Sequence, residues 1–326
     1  MDKTILNTEN YDFLNTERFL KHNKVWYLAP IGNSAKGIES DETITKGVFM
    51  NSKANFNAKG YNGKSYCINK FGKLNPEIEL HPVIGLCDLV YNCDVNTINM
   101  FGVRDEDILI MTDEGKWIRD NVIILLSKQR VYNSYKKYAE EKTEKFNRII
   151  LRNSDTMESK EVLKNELDEK ISSLKKRYKN YDENMKVYIA EDDLMIDLNF
   201  QKFPVKELNC IMSELKDILR GYNDFKGLIQ ENEAMYMYAT DAVSTYLIGI
   251  DILNGNGINV YREKELKLLN DIKNRKIHHD KILEIINDLS IKFKLAKQVS
   301  KLADDVDYNN IKDLLIGFNK AVLNKA

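Results

Sequence analysis

Proline is scarce in this chain, with four in 326 residues, and so are cysteine and histidine, with four of each. Few prolines permit long uninterrupted helices, because an interior proline removes a helical hydrogen bond and clashes with the preceding turn. Cys67, Cys87, Cys93 and Cys210 include no C-x-x-C pair. With only His22, His81, His278 and His279 beside them, the spacing of a structural zinc module is missing. The thiols read as free cysteines of a reducing compartment. No stretch reaches the ~18 consecutive apolar residues of a membrane span. The opening, MDKTILNTENYDF, has acids where a secretion signal has its apolar centre. These absences predict a soluble, cytoplasmic protein with no membrane partner. An excess of charge is missing too: 49 Lys plus Arg face 50 Asp plus Glu, a formal net charge of -1. This balance excludes a basic nucleic-acid coat and an acidic tail, but leaves room for a basic groove on one face.

What is present suffices for packed cores, since 43% of the residues are hydrophobic. The Asn, Lys and Ile bias suggests an A/T-rich genome and fits a viral or phage origin. The N-terminal third reads as mixed α and β. Residues 11–22 have helical spacing. VWYLAPIG (25–32), TITKGVFM (43–50), SYCINKF (65–71) and PEIELH (76–81) read as strands. From residue 82 helices dominate, beginning with VIGLCDLVYN and VNTINMFG. Residues 113–180 are the most charged region and predict exposed helices, with acids three or four residues before lysines. MKVYIA (185–190) and LMIDLN (194–199) predict a hairpin. Pro204 suits the first turn of a helix, and from there the chain reads as helical to its end, broken at NGNGIN (254–259). The expected division is 1–130, an α/β domain; 131–203, a charged helical hairpin with a β-hairpin; and 204–326, a helical C-terminal domain.

The most informative segment runs from Gly32 to Phe49, GNSAKGIESDETITKGVF. A strand ends in a turn of small residues, and a second strand follows several carboxylates. Backbone N–H groups in such a turn hold phosphate, and carboxylates beside it hold Mg²⁺. Ordinary turn chemistry accounts for the same residues. The wider pattern resembles the predicted nucleotidyltransferases of the DNA polymerase β superfamily, in the branch associated with RNA ligases. That family has a turn G-S-R-A-x-G and then S-D-x-D-x-R-G-V-F. Gly32, Ala35 and Gly37 fit the turn, and Lys46-Gly47-Val48-Phe49 fits the R-G-V-F end. Further partial matches follow in order: Val95 to Phe101, Leu126-Ser127-Lys128, Tyr135 with Tyr138-Ala139, Gly257 to Arg262, and Ser300, Leu302, Asp304 and Asp307.

The resemblance implies an α+β fold, a nucleotidyltransferase-type mixed sheet with helices followed by a helical C-terminal domain. It also implies Mg²⁺-dependent transfer of a nucleoside monophosphate from an NTP to a hydroxyl of RNA or protein. Asp41, Glu42 and Glu77 or Glu79 would hold the metal and carry catalysis. Gly32, Asn33 and Ser34 would touch the phosphates, with Lys128 or Arg262 adding positive charge. The departures weigh against turnover. Counted back from Gly47, the family's paired aspartates fall on Glu42 and Ile44, and isoleucine cannot coordinate a metal. Glu39 and Asp41 have the required spacing but lie earlier, in the loop. A His and an Arg of the family's helical half become Asp241 and Ser244, and two late prolines become Ala303 and Val306. The expectation is a pseudoenzyme that binds nucleotide or acts as a scaffold. The alternatives are an active enzyme with a rearranged carboxylate set (Glu39/Asp41, or Asp41/Glu42 with Glu77/Glu79), and an assembly protein that keeps only the fold. A protein partner would meet the charged helices 136–180.

Other candidates have simpler readings. His278-His279-Asp280 reads as a solvated connection between helices, Glu191-Asp192-Asp193 with Asp197 as an acidic hairpin turn, and Met235 to Tyr238 as core packing. Cys87 and Cys93 lack a nearby helper histidine in sequence and read as structural.

Overall fold

The computed structural model describes residues 24–38, 44–50, 66–68, 77–154, 157–177, 185–190, 193–198 and 205–325. The helix expected at 11–22 lies outside the described residues, as do Glu39, Asp41, Glu42 and the acids at 191–192. The protein is mixed α+β, and helices make up its C-terminal part. Among the described residues no helix is long and apolar enough to cross a membrane.

A five-stranded mixed sheet has the order β3-β4-β2-β1-β5. Its strands are β1 (Val25–Ile31), β2 (Ile44–Phe49), β3 (Tyr66–Ile68), β4 (Glu77–Pro82) and β5 (Ile110–Met111). β1 is antiparallel to β2 and β5, β2 is parallel to β4, and β3 is antiparallel to β4. All seven residues of β1 are buried, as its near-continuous apolar run requires of an interior strand. Alternation along β4 sends Ile78 and Leu80 into a core with Val25, Leu28, Phe49 and Leu109. Gly47 lets β2 lie close to β1, since a Cβ there would meet the Tyr27 carbonyl oxygen at 2.5 Å.

α1 (Val83–Tyr91) and α2 (Val95–Met100) follow directly. Asp94 caps α2 by accepting from the Thr97 N–H at 2.8 Å, and Thr112 caps α3 (Asp113–Asn121) by accepting from the Gly115 N–H. Then come α4 (Lys128–Ser154), α5 (Met157–Arg177), strands β6 (Met185–Ala190) and β7 (Asp193–Leu198), and α6 (Val205–Asn254). β6 and β7 pair as the expected antiparallel hairpin. The C-terminal helices are α7 (Leu266–Lys273), α8 (His279–Val299) and α9 (Tyr308–Lys325).

The chain forms two compact units, Met1–Thr143 with Ala239–Ala326, and Glu144–Tyr238. The first holds the sheet. In the second, Leu167 and Leu174 of α5 share a core with Val187 of β6 and with Ile211, Ile218 and Tyr222 of α6. The helical run after Pro204 has a further interruption besides the NGNGIN break, where Gly255 and Gly257 take positive φ. It lies between α8 and α9, where Asp304 and Asp305 turn toward α4 and pair with Lys128 at 2.5 Å and Arg130 at 3.0 Å.

Candidate functional site

The turn after β1 is a tight one. Lys36 N–H donates to the Asn33 carbonyl at 3.0 Å, Gly37 N–H to the Ser34 carbonyl at 3.0 Å, and Ile38 N–H to the Asn33 carbonyl at 2.9 Å. Gly32 and Gly37 sit at φ 75° and 74°, a backbone region that favours glycine. Gly37 is also sterically required, because a Cβ would stand 2.4 Å from the Tyr261 ring. The turn therefore packs against the segment that follows the glycine-rich break. The Arg104 guanidinium stacks on the Tyr261 ring, 3.9 Å from its centre. Asn33 is about nine-tenths buried, and its side-chain oxygen has no hydrogen-bond partner among the described residues. Ser34 Oγ donates weakly to the Ile31 carbonyl at 3.4 Å.

Lys36 extends from the same turn to α6. Its Nζ lies 2.7 Å from Asp241 Oδ1, and Lys142 Nζ of α4 lies 2.9 Å from Asp241 Oδ2. One largely buried carboxylate thus holds two ammonium groups. Burial raises the Asp241 pKa, but Lys36 and Lys142 outweigh it and hold the carboxyl below its usual range. Burial likewise lowers the Lys142 pKa, and Asp241 with Tyr138 more than reverses this. Neither lysine belongs to the set of residues that the sequence points to. The readable signal is Asp241 itself, a lone carboxylate within the apolar stretch AMYMYATDAVSTYLIGI. Lys142 sits among many helical lysines and gives none.

The second cluster lies on the polar face of the sheet. The parallel register sets Ile44 beside Glu77 and Lys46 beside Glu79. Lys46 Nζ is 2.9 Å from Glu79 Oε2 and 4.0 Å from Asp94 Oδ1. His81 Nε2 is 3.7 Å from Glu79 Oε1. Glu79 therefore already has a cation beside it. A polymerase-type pair of Mg²⁺ ions needs several carboxylate oxygens facing one space. Ile44 supplies none, and Lys46 competes for Glu79, so the described residues do not fit that pair of ions. Glu77 is placed in β4 but its side chain, like Asp41 and Glu42, lies outside what the structure describes.

His81 is buried. Burial lowers its pKa, Glu79 partly opposes this, Lys46 lowers it further, and Asp94 raises it. The folded chain thus binds a proton at His81 less readily than the unfolded chain, whose imidazole titrates near ~6.5. The native form of this site is fully favoured above that pH and loses stability as pH falls toward the folded pKa. Urea unfolding of the wild type should become easier between about pH 7.5 and 5.5, by at most about 1.4 kcal/mol per pH unit for one proton. His81→Gln should flatten that slope. An unchanged slope would show that His81 is not the titrating group.

The two other expected phosphate contacts are engaged elsewhere. Lys128 pairs with Asp304. Arg262 is nearly buried and pairs with Asp251 at 2.7 Å and Glu265 at 3.2 Å, while Asn259 also donates to Asp251 at 3.1 Å. Arg262 thereby fastens the segment carrying Tyr261 to the end of α6. The structure thus brings together Asn33, Lys36, Gly37, Lys142, Asp241 and Tyr261, and does not bring Lys128 or Arg262 into that group as free cations. Cys87 and Cys93 are buried and their thiols are pushed up to about 12, mainly by burial, which leaves them unreactive as nucleophiles.

No family model, curated protein or solved structure matches this chain.

Proposed function

We propose that the chain is a nucleotidyltransferase-like protein whose metal site has eroded, and that it binds a nucleotide or a protein partner without transferring a nucleotidyl group. The observation that carries this reading is the register between β2 and β4. It puts an isoleucine on β2, beside Glu77, where metal chemistry needs a carboxylate, with Lys46 neutralising Glu79. The buried, unpartnered oxygen of Asn33 at the glycine turn supports a ligand that donates a hydrogen bond there, such as a sugar hydroxyl or a base amino group. Asp241 offsets one of the two lysine charges nearest the turn, so a triphosphate would meet less free positive charge than two unpaired lysines would offer. The scaffold alternative draws support from α5, whose charged residues between Lys164 and Arg177 are exposed while Leu167 and Leu174 are buried.

Calorimetric titration with ATP and GTP, each with and without Mg²⁺, tests the reading. The expected outcome is weak binding that Mg²⁺ does not strengthen, abolished or strongly reduced by Gly32→Val or Asn33→Leu. Binding that requires Mg²⁺ and is lost in Glu77→Ala would instead favour the active alternative, with Asp41 and Glu42 as the other ligands. No binding of either nucleotide would favour the pure scaffold.

A further inference from the structure

We propose that His278, His279 and Asp280 form a surface site for a late divalent transition metal, with Zn²⁺ as the best fit. The three residues occupy the junction where the connection from α7 enters α8. One ligand atom from each lies within 4.8 Å of the other two. His278 Nδ1 is 3.4 Å from Asp280 Oδ2, and His279 Nε2 is 3.4 Å from Asp280 Oδ1. With bonds of ~2.0–2.1 Å, two ligands of a tetrahedral ion stand about 3.3–3.4 Å apart. Each imidazole-to-carboxylate spacing alone is that of two ligands of one ion; the two run to different oxygens of Asp280, so side-chain rotation must bring both imidazoles onto one ion.

The surroundings favour the site. The two rings lie against each other, centroids 3.9 Å apart and tilted by 37°, so they swing apart when they share an ion. The connection is well anchored: Asn274, Arg275 and Lys276 donate backbone N–H groups to Asn270, Ile272 and Asp271, and Ile282 is fully buried one turn into α8. Ligands on so short a segment between two packed helices are held in place by the scaffold. The positive end of α8 opposes a cation, but Asp280 in its first turn offsets that potential. The neighbouring ammonium groups face other carboxylates, Lys276 toward Asp271 at 3.4 Å and Lys281 toward Glu284 at 2.5 Å. Two imidazole nitrogens and one carboxylate oxygen form a borderline donor set. Such a set suits Zn²⁺, Ni²⁺ or Cu²⁺ and discriminates against Mg²⁺ and Ca²⁺, which take oxygen ligands. All three side chains reach solvent, so an ion needs no entry path, and its remaining positions go to water or to a donor from another molecule.

Titration of the full-length protein with ZnCl₂, followed by calorimetry and by the visible absorption of added Co²⁺, tests the site. The expected result is one saturable ion per chain with a dissociation constant in the micromolar range. Loss of an outer partner alone costs a metal site about 10–100-fold, so loss of a direct ligand in His279→Ala should lower affinity by at least about 10-fold, and the site should be lost in the double variant His278→Ala/His279→Ala. Excess Mg²⁺ should not compete. These side chains face solvent, so circular dichroism should show both variants folded. Absence of saturable uptake by the wild type would overturn the proposal, as would an isotherm that the double variant leaves unchanged. Neither result bears on the cleft at Gly32, which shares no residue with this site.

Discussion

Asp241→Ala should destabilise the unit that carries the sheet by about 3 kcal/mol or more, from a range of about 3–5 kcal/mol for one-sided loss of a buried ion pair. The reason is the pair of lysines left behind. Lys36 keeps only 8% of its side-chain exposure and Lys142 keeps 20%, so the first ammonium in particular has little water to turn to. The partial exposure of Lys142 and Asp241 places the effect toward the lower end. Asp241→Asn keeps the volume and one acceptor but removes the charge, and should cost less than Asp241→Ala. The triple change Lys36→Met/Asp241→Leu/Lys142→Met should recover most of the loss, because an apolar replacement of similar size avoids desolvating any charge. Urea unfolding curves for the wild type and these three variants decide the matter. A wild-type-like midpoint for Asp241→Ala would show that the triad is incidental. The pH dependence has a definite sign. Asp241 titrates below its unfolded value of ~3.9, so its contribution is complete above that pH and fades as pH falls through the folded pKa. Lys142 titrates above its unfolded value of ~10.4, so its contribution persists up to that pH and fades above it.

Gly37→Ala carries the second large effect. A positive φ costs an ordinary L-residue about 1–2 kcal/mol. The new methyl would also stand 2.4 Å from the Tyr261 ring, an overpacking that adds about 1–3 kcal/mol. Together they amount to about 2–5 kcal/mol, and the steric part depends on the ring. In Tyr261→Ala the same glycine substitution should therefore cost only the backbone share. The coupling in this double-mutant cycle should reach about 1 kcal/mol or more. A coupling near zero would mean that the turn and the Tyr261 segment do not press on one another. Nucleotide affinity, where present, should fall along with stability in Gly37→Ala, since the turn that would cradle a phosphate is held in shape by this contact.

Much of the architecture is legible in particular residues. The apolar run of β1, the β-branched start of β2 and the alternation of Glu77 to His81 identify three strands of one sheet. The two helices at Val83 and Val95, the hairpin at 185–198 and the break at Gly255 and Gly257 are legible too, because period and turn chemistry are local signals. β5 is not: two residues, Ile110 and Met111, carry no period of their own and become a strand only by pairing with Tyr27 and Leu28. The interruption between α8 and α9 is hidden for a related reason. Its aspartates gain their role from Lys128 and Arg130, 175 residues away in the case of Arg130 and Asp305.

The site is legible in part. The glycine turn stands out, and Ile44 is legible as a side chain that cannot coordinate a metal in any fold. Which charges meet is another matter. Lys128 and Arg262 look like phosphate ligands in a motif, yet each faces carboxylates from distant or looped-back segments. Lys36 and Lys142 look like surface residues, yet they converge on one buried aspartate. Pairings of this kind depend on tertiary proximity, and a near-zero net charge conceals how it is distributed.

The proposed nucleotidyltransferase-like protein without turnover is tested most directly by incubating the wild-type protein with each α-labelled NTP, Mg²⁺ and total RNA, and measuring label in RNA and in the protein itself. The expected result is no incorporation above that of a heat-inactivated control. Mg²⁺-dependent incorporation that disappears in Glu77→Ala would contradict the loss of turnover and would make the carboxylates around Asp41 and Glu42 a working metal site.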